Sequence, residues 1–505
     1  MSIKLCTALL SALPDLYTSD FFLSTLEHPA RFKLDRNEPS SSELPVRSFS
    51  EPCGPEEQHS ARTPESVVDV ALTGIPRDYG YTAPFSIGTY DTEGQAEDRL
   101  FHLLIDTGSD LIVLTSEECT DPECRKVSHR FNCSASLACT PVVNTLTGSD
   151  RAVQRYGDGT KAAGRLVQDT IRFVASYPGN GLDLGPQADD HTTPTTTTGT
   201  GTALKLLDQP ILLVDQPGLR LFKSYGTAVD GILGLNLGSA VITKTAIQNL
   251  RNTTTVSDLP PSPSAFRPSY ASSSSSSSSL DINHHSPQDS TTAVSIGFMS
   301  LWLGHSYEPG QGGEMLLNAM DLSRFRGPIH WTERGPSPYD WTVPLDKGMW
   351  LLDPLSGQEE APLVGSEQTF AVMDSGSDGI YLQRSLYDAL FLKVPGARQL
   401  AETGYWRVPC EGTMELVFGI QGEVYQIPYA DWVKKPPSTI TTTSTESANA
   451  TMRMERETGT QMCQSRVNGS SPGPILLGSA FMRTVYTIFD FSKPGQERVG
   501  LARLA

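Results

Sequence analysis

The sequence predicts an all-β protein built from two related halves, and three observations carry that prediction. Short apolar runs recur along the chain between Gly, Pro, Asn and Asp turn signals, while helical spacing is scarce. One motif occurs twice, as Leu103-Leu104-Ile105-Asp106-Thr107-Gly108-Ser109 and much later as Phe370-Ala371-Val372-Met373-Asp374-Ser375-Gly376-Ser377. Each copy is followed downstream by a companion, Asp230-Gly231-Ile232-Leu233-Gly234-Leu235 after the first and Pro474-Ile475-Leu476-Leu477-Gly478 after the second.

A short apolar run closed by a turn signal reads as a buried strand, so each copy delivers one Asp to a strand end in apolar surroundings. An anion there is costly unless hydroxyls and backbone N–H groups of the turn bond to it. Thr107, Gly108 and Ser109 supply such donors in the first copy, and Ser375, Gly376 and Ser377 in the second. A single Asp-Thr-Gly-Ser is an ordinary solvated turn. Two of them, one from each half, could bring two carboxylates together.

In this order the four motifs resemble the pepsin-like aspartic peptidases, whose two lobes each contribute an Asp-Thr/Ser-Gly-Ser/Thr motif and a later apolar-apolar-Gly motif. The resemblance runs from about residue 67 to 505, inserts apart. It implies a bilobal fold with the active-site cleft between two β lobes, residues 67–305 and 306–505, and Asp106 and Asp374 as the catalytic pair. It further implies an aspartic endopeptidase acting on polypeptide substrates in acid, by general acid/base activation of water and without metal or cofactor. Two adjacent carboxyls cannot both ionise easily, so they hold one proton between them and titrate as a dyad.

Taken in order, residues 1–20 read as a signal peptide: Lys4 precedes the short apolar run Leu5 to Leu13, which has small residues near its end. Residues 21–66 are rich in Pro, Ser and Glu around a basic-aromatic cluster, Arg31-Phe32-Lys33-Leu34-Asp35-Arg36, and by position resemble a propeptide. Acidic residues outnumber basic ones there, so a disordered extension is the competing reading. No other stretch is long and apolar enough to span a bilayer, and the final residues carry no hydrophobic anchor signal, so a secreted or vacuolar monomer is expected. The net charge of −18 disfavours a nucleic-acid partner and suits work in acid, where protonation relieves self-repulsion.

Tyr81 to Thr89 alternates as a strand leading toward Asp106. Cys119, Cys124, Cys133 and Cys139 follow in a loop-rich stretch that lacks the spacing of a zinc site, so disulfides are favoured in a secretory chain. The resemblance implies Cys119 with Cys124 and Cys410 with Cys463, which leaves Cys133 with Cys139. Tyr156-Gly157-Asp158-Gly159 between strand-like runs is a hairpin. It stands where these peptidases carry the substrate-covering flap, in a form resembling the fungal secreted members. The chain departs from the family at Leu111-Ile112-Val113-Leu114, where relatives usually place a Trp that partners the flap tyrosine. A catalytically impaired binding or inhibitory protein of the same fold is therefore the alternative reading.

Residues 191–202, 272–279 and 438–451 are Thr- or Ser-rich tracts with too little apolar surface to order themselves, and His284-His285 lies beside the second of them. Asn132, Asn252, Asn449 and Asn468 head glycosylation sequons. In the second half, residues 312–317, 327–331 and 341–345 read as strands entering the lobe. Residues 379–382 continue as a strand after Asp374, 384–392 has helical spacing, and 475–504 is the longest continuous resemblance.

Overall fold

A computed structural model describes residues 68–90, 100–156, 160–174, 202–217, 229–252, 254–256, 292–305, 312–359, 362–363, 369–434, 460–470 and 474–505. The signal and propeptide segments, Gly157 and Asp158 of the hairpin, His284-His285, Asn449 and the low-complexity tracts, Thr202 excepted, lie outside the described residues.

The fold is all-β, and the repeated motif is a repeated topology. Leu100–Asp106 pairs antiparallel with Tyr81–Ile87 and parallel with Gly231–Gly234. Gly231–Gly234 runs antiparallel to Ile112–Thr115, which is parallel to part of Thr202–Pro217. The second half repeats every pairing. Thr369–Met373 is antiparallel to Thr342–Leu345 and parallel to Ile475–Leu477, which is antiparallel to Ile380–Gln383, itself parallel to Val467–Ser470. The companion segments are thus the parallel partners of the two motif strands, in register Leu104 to Ile232 and Val372 to Leu476. Parallel strands are covered on both faces, which explains unbroken apolar runs here instead of alternation.

A six-stranded antiparallel sheet joins the halves. Its order is Val68–Gly74, Gly313–Leu317, Phe298–Leu303, Val485–Asp490, Arg498–Leu504 and Phe325–Trp331. Val68–Gly74 continues into Tyr81–Ile87 through Thr73 and Thr82, so this sheet is tied directly to the scaffold of Asp106. Trp341, fully enclosed, donates its Nε1–H to the Leu235 carbonyl at 2.8 Å, a further bond between the halves.

Two elements were not anticipated. The 16-residue strand Thr202–Pro217 pairs along its length with Lys161–Val174, although Asp208-Gln209-Pro210 in its middle has turn composition. A register shift opposite Asp169 and a left-handed backbone at Asp208 (φ 50°) absorb that signal as a bulge within one strand. Ala246–Asn252 is a short helix, and the expected helix after the second motif spans Arg384–Phe391. Among the described residues three disulfides are present: Cys119–Cys124, Cys133–Cys139 and Cys410–Cys463. Among the described residues no helix is long and apolar enough to cross a membrane.

Candidate active site

Both motif strands end at the same place. Asp106 and Asp374 are 5% and 8% exposed, and each is held by the turn that follows it. Asp106 Oδ1 accepts the Gly108 N–H at 2.9 Å, and its Oδ2 accepts the Ser109 hydroxyl at 2.6 Å. Asp374 Oδ1 accepts the Gly376 and Ser377 N–H groups at 3.0 and 3.2 Å, and its Oδ2 accepts the Ser377 hydroxyl at 2.6 Å. These bonds leave the two carboxyls facing each other. A Cβ built on Gly108 would lie 2.4 Å from Asp374 Cγ, and one on Gly376 would lie 2.3 Å from Asp106 Oδ1. Each turn needs Gly because the other turn's carboxyl rests on it.

Thr107 and Ser375 serve a different purpose from the carboxylate support expected of them. The Thr107 hydroxyl donates to the Met373 carbonyl at 2.8 Å and accepts the Ser375 N–H at 2.9 Å. The Ser375 hydroxyl reciprocates, donating to the Ile105 carbonyl at 2.7 Å and accepting the Thr107 N–H at 3.1 Å. All four bonds cross between the halves in a fully enclosed position, so they fix the two turns to each other. The companion glycines complete the packing. A Cβ on Gly234 would meet the Ser109 carbonyl at 2.8 Å, and one on Gly478 the Ser377 carbonyl at 2.4 Å.

Burial, and then the neighbouring Asp374 charge, push the Asp106 carboxyl well above the ordinary carboxylate range, against the opposing pull of the Ser109 bond. Burial raises Asp374 as well, against the Ser377 bonds and a hydrogen bond from Asp106. The two raised carboxyls lie in each other's field, so they titrate together as a pair.

Tyr156 closes a hairpin, its N–H donating to the Thr160 carbonyl at 2.9 Å, between Arg151–Arg155 and Lys161–Val174. Its half-buried ring packs on an apolar cluster that includes Leu111, Val113 and Ile232. Val113 is fully buried on Ile112–Thr115, and its carbonyl sits where a Cβ of residue 231 would fall. Among the described residues no group of His, Cys, Asp and Glu side chains is arranged to hold a metal ion.

A family model described as eukaryotic aspartyl protease matches residues 80–181 and 288–504, more than half of the chain and both motif turns. The chain belongs to the eukaryotic aspartyl protease family. Among curated relatives it is 27% identical over 198 residues to an aspartic protease of Phaffia rhodozyma, covering 38% of this chain and 40% of that protein. It is 24% identical over 203 residues to the "Probable aspartic-type endopeptidase CTSD" of Trichophyton verrucosum, 40% of this chain and 33% of that protein. It is 26% identical over 217 residues to cathepsin E of Oryctolagus cuniculus, 41% of this chain and 46% of that protein. The matched stretches thus span less than half the length of these relatives.

One group of residues near the second motif escaped the reading of the sequence. Asp78, His305, Asp431 and Arg466 lie far apart in the chain and in no motif, yet they meet beside residue 378. The available signal was weak: Asp378 follows the second motif as Asp110 follows the first.

Proposed function

We propose that the chain is an aspartic endopeptidase that hydrolyses peptide bonds in polypeptides at acidic pH, with Asp106 and Asp374 as its catalytic dyad. The observation that carries this reading is the mutual seating of the two turns, in which each glycine bears against the other half's carboxyl. The ionised carboxylate takes a proton from a water as that water attacks the scissile carbonyl. The protonated partner donates to the developing oxyanion, and proton return to the leaving nitrogen completes hydrolysis. Ser109 and Ser377 hold the outer oxygens, so each carboxyl keeps its inner oxygen toward its partner. The burial that raises both carboxyls keeps the shared proton in place as pH rises through the acid range.

Tyr156, with Gly157 and Asp158 beyond it, forms the flap in this reading, its ring resting on an aliphatic wall where Val113 stands in place of an indole. A signal at 1–20, a propeptide at 21–66, lobes at 67–305 and 306–505, glycosylation and a secreted or vacuolar monomer complete the proposal. The test is digestion of acid-denatured haemoglobin by the purified protein. Cleavage in acid that is blocked by pepstatin and indifferent to EDTA is expected. Cleavage that is abolished by EDTA, or that peaks in alkali, would refute the reading. No cleavage from a folded protein would favour the binding-protein alternative.

A further inference from the structure

Arg466 reaches from one catalytic scaffold to the other. Its backbone belongs to the second half: its carbonyl accepts the Ile380 N–H at 2.9 Å, at the start of the strand that follows the Asp374 turn, and the next residue opens Val467–Ser470. Its side chain crosses to the first half. Nη2 donates to the Arg77 carbonyl at 2.8 Å, Nη1 donates to the Asp78 carbonyl at 3.2 Å, and Nη2 lies 3.4 Å from Asp78 Oδ2. The residue is 6% exposed.

The turn it grips is an unusual one. Arg77 and Asp78 both have left-handed backbones (φ 67° and 54°), a conformation that non-glycine residues keep only when their surroundings enforce it. The turn closes through the Ile75 N–H on the Gly80 carbonyl and leads into Tyr81–Ile87, the neighbour of the Asp106 strand. A Cβ built on residue 80 would fall 2.6 Å from Leu104 of that strand, so the turn runs close over it. Ile75, Leu104 and Val113 belong to one apolar cluster, and Tyr79 and Tyr156 pack against it.

The same guanidinium faces Asp378, the residue after the second motif, at 3.9 Å. Lys434 Nζ also binds Asp378, at 2.5 Å, and stands over the Tyr79 ring. His305 completes the cluster, Nδ1 3.4 Å from Asp78 and Nε2 3.3 Å from Asp431, while buried Arg483 lies 3.8 Å from Asp431. Tyr81 is enclosed beside them, its hydroxyl on the Gly304 carbonyl. Three carboxylates therefore face three fixed cations and one histidine.

We propose that Arg466 is a positioning residue for the dyad: it couples the Asp374 turn to the 75–80 turn of the other half and so fixes the wall bearing Tyr79 and Tyr156 relative to the two carboxyls. The inference rests on Asp106 and Asp374 being catalytic. Two contributions separate by their pH dependence. The donations to the Arg77 and Asp78 carbonyls do not titrate. The charge does matter to pH, because without it the three carboxylates keep two fixed cations, Arg483 and Lys434, beside His305, a surplus of negative charge relieved when the cluster takes up a proton in acid.

The experiment compares kcat and KM of wild type, Arg466→Met and Arg466→Lys on one peptide substrate at about pH 3.5 and about pH 6, with Tm alongside. Arg466→Met is expected to lower kcat/KM on the order of tenfold at the higher pH and distinctly less at the lower. Arg466→Lys keeps the charge but cannot grip both carbonyls, so its loss should be the same at both pH values. Unchanged kcat/KM in Arg466→Met would overturn the proposal, as would a loss that is pH-independent and follows Tm alone. If Arg466→Met does not fold, a uniform loss in Arg466→Lys supports the proposal and wild-type kinetics in it refutes it. An inactive wild type would refute the catalytic reading itself, and this role with it.

Discussion

Gly376→Ala and Gly108→Ala put the contact between the two carboxyls to the test. An alanine Cβ at 376 would fall 2.3 Å from Asp106 Oδ1 and 2.5 Å from its Cγ, and one at 108 would fall 2.4 Å from Asp374 Cγ. Ordinary contact needs roughly 3.5 Å, so the carboxyl facing the new methyl must retreat by about 1 Å. It cannot swing away freely, since Asp106 is tied by Ser109 and Gly108, and Asp374 by Ser377 and Gly376. Neither glycine has a left-handed backbone, so alanine adds no conformational strain and the collision is the whole effect. A catalytic group misplaced by about 1 Å costs on the order of a hundredfold in rate, and that loss is expected in kcat/KM for a fluorogenic peptide at acid pH. Circular dichroism and Tm would confirm that the fold survives. Either variant folding normally and retaining kcat/KM within about threefold of wild type would refute the claim that the carboxyls face each other across these glycines.

Three further outcomes are expected. Burial raises Asp106, Asp374 and Asp110, so the folded chain keeps protons that the unfolded chain releases above about pH 4. Their contribution to stability is full below that point and is lost as pH rises through the raised values; Tm should therefore fall from acid toward neutrality, and a Tm that climbs over the same range would contradict it. Burial, then the Asp69 and Asp321 charges, lift Glu314 to about 7, so Glu314→Gln should flatten the decline between its ordinary value and about 7, as read from Tm against pH. Removing Cys410–Cys463, which bridges 53 positions, should cost about 4 kcal/mol by chain entropy against about 2 for Cys119–Cys124, which bridges 5; denaturant melts giving equal losses would show that loop length does not govern here.

The sequence was most legible where one chemical requirement controls several neighbouring residues. An Asp at a buried strand end needs donors at once, and the turns after 106 and 374 carry them within three positions. The companions were legible for the same reason, because a parallel strand enclosed on both faces must be apolar throughout. What stayed hidden depends on contacts between distant positions. Nothing local reveals that Thr107 bonds to Met373 and Ser375 instead of its own carboxylate, since that bond spans 266 positions. Arg466 and Asp78 are 388 positions apart, and each by itself is an ordinary charged residue. The Thr202–Pro217 strand was obscured because Asp208-Gln209-Pro210 has turn composition, and only its partner strand shows that the irregularity is a bulge.

If Asp106 and Asp374 act as one unit holding one proton, a mutant cycle will show it. Peptide hydrolysis would be measured across the acid range for wild type, Asp106→Asn, Asp374→Asn and the double variant, each checked for folding. Each single variant should lose activity by several orders of magnitude, because one of the two simultaneous tasks, proton acceptance or donation, has gone. The double variant should be hardly slower than either single one. Losses that simply multiply in the double variant, or substantial acid hydrolysis in either single variant, would show that the two carboxyls do not act as a dyad.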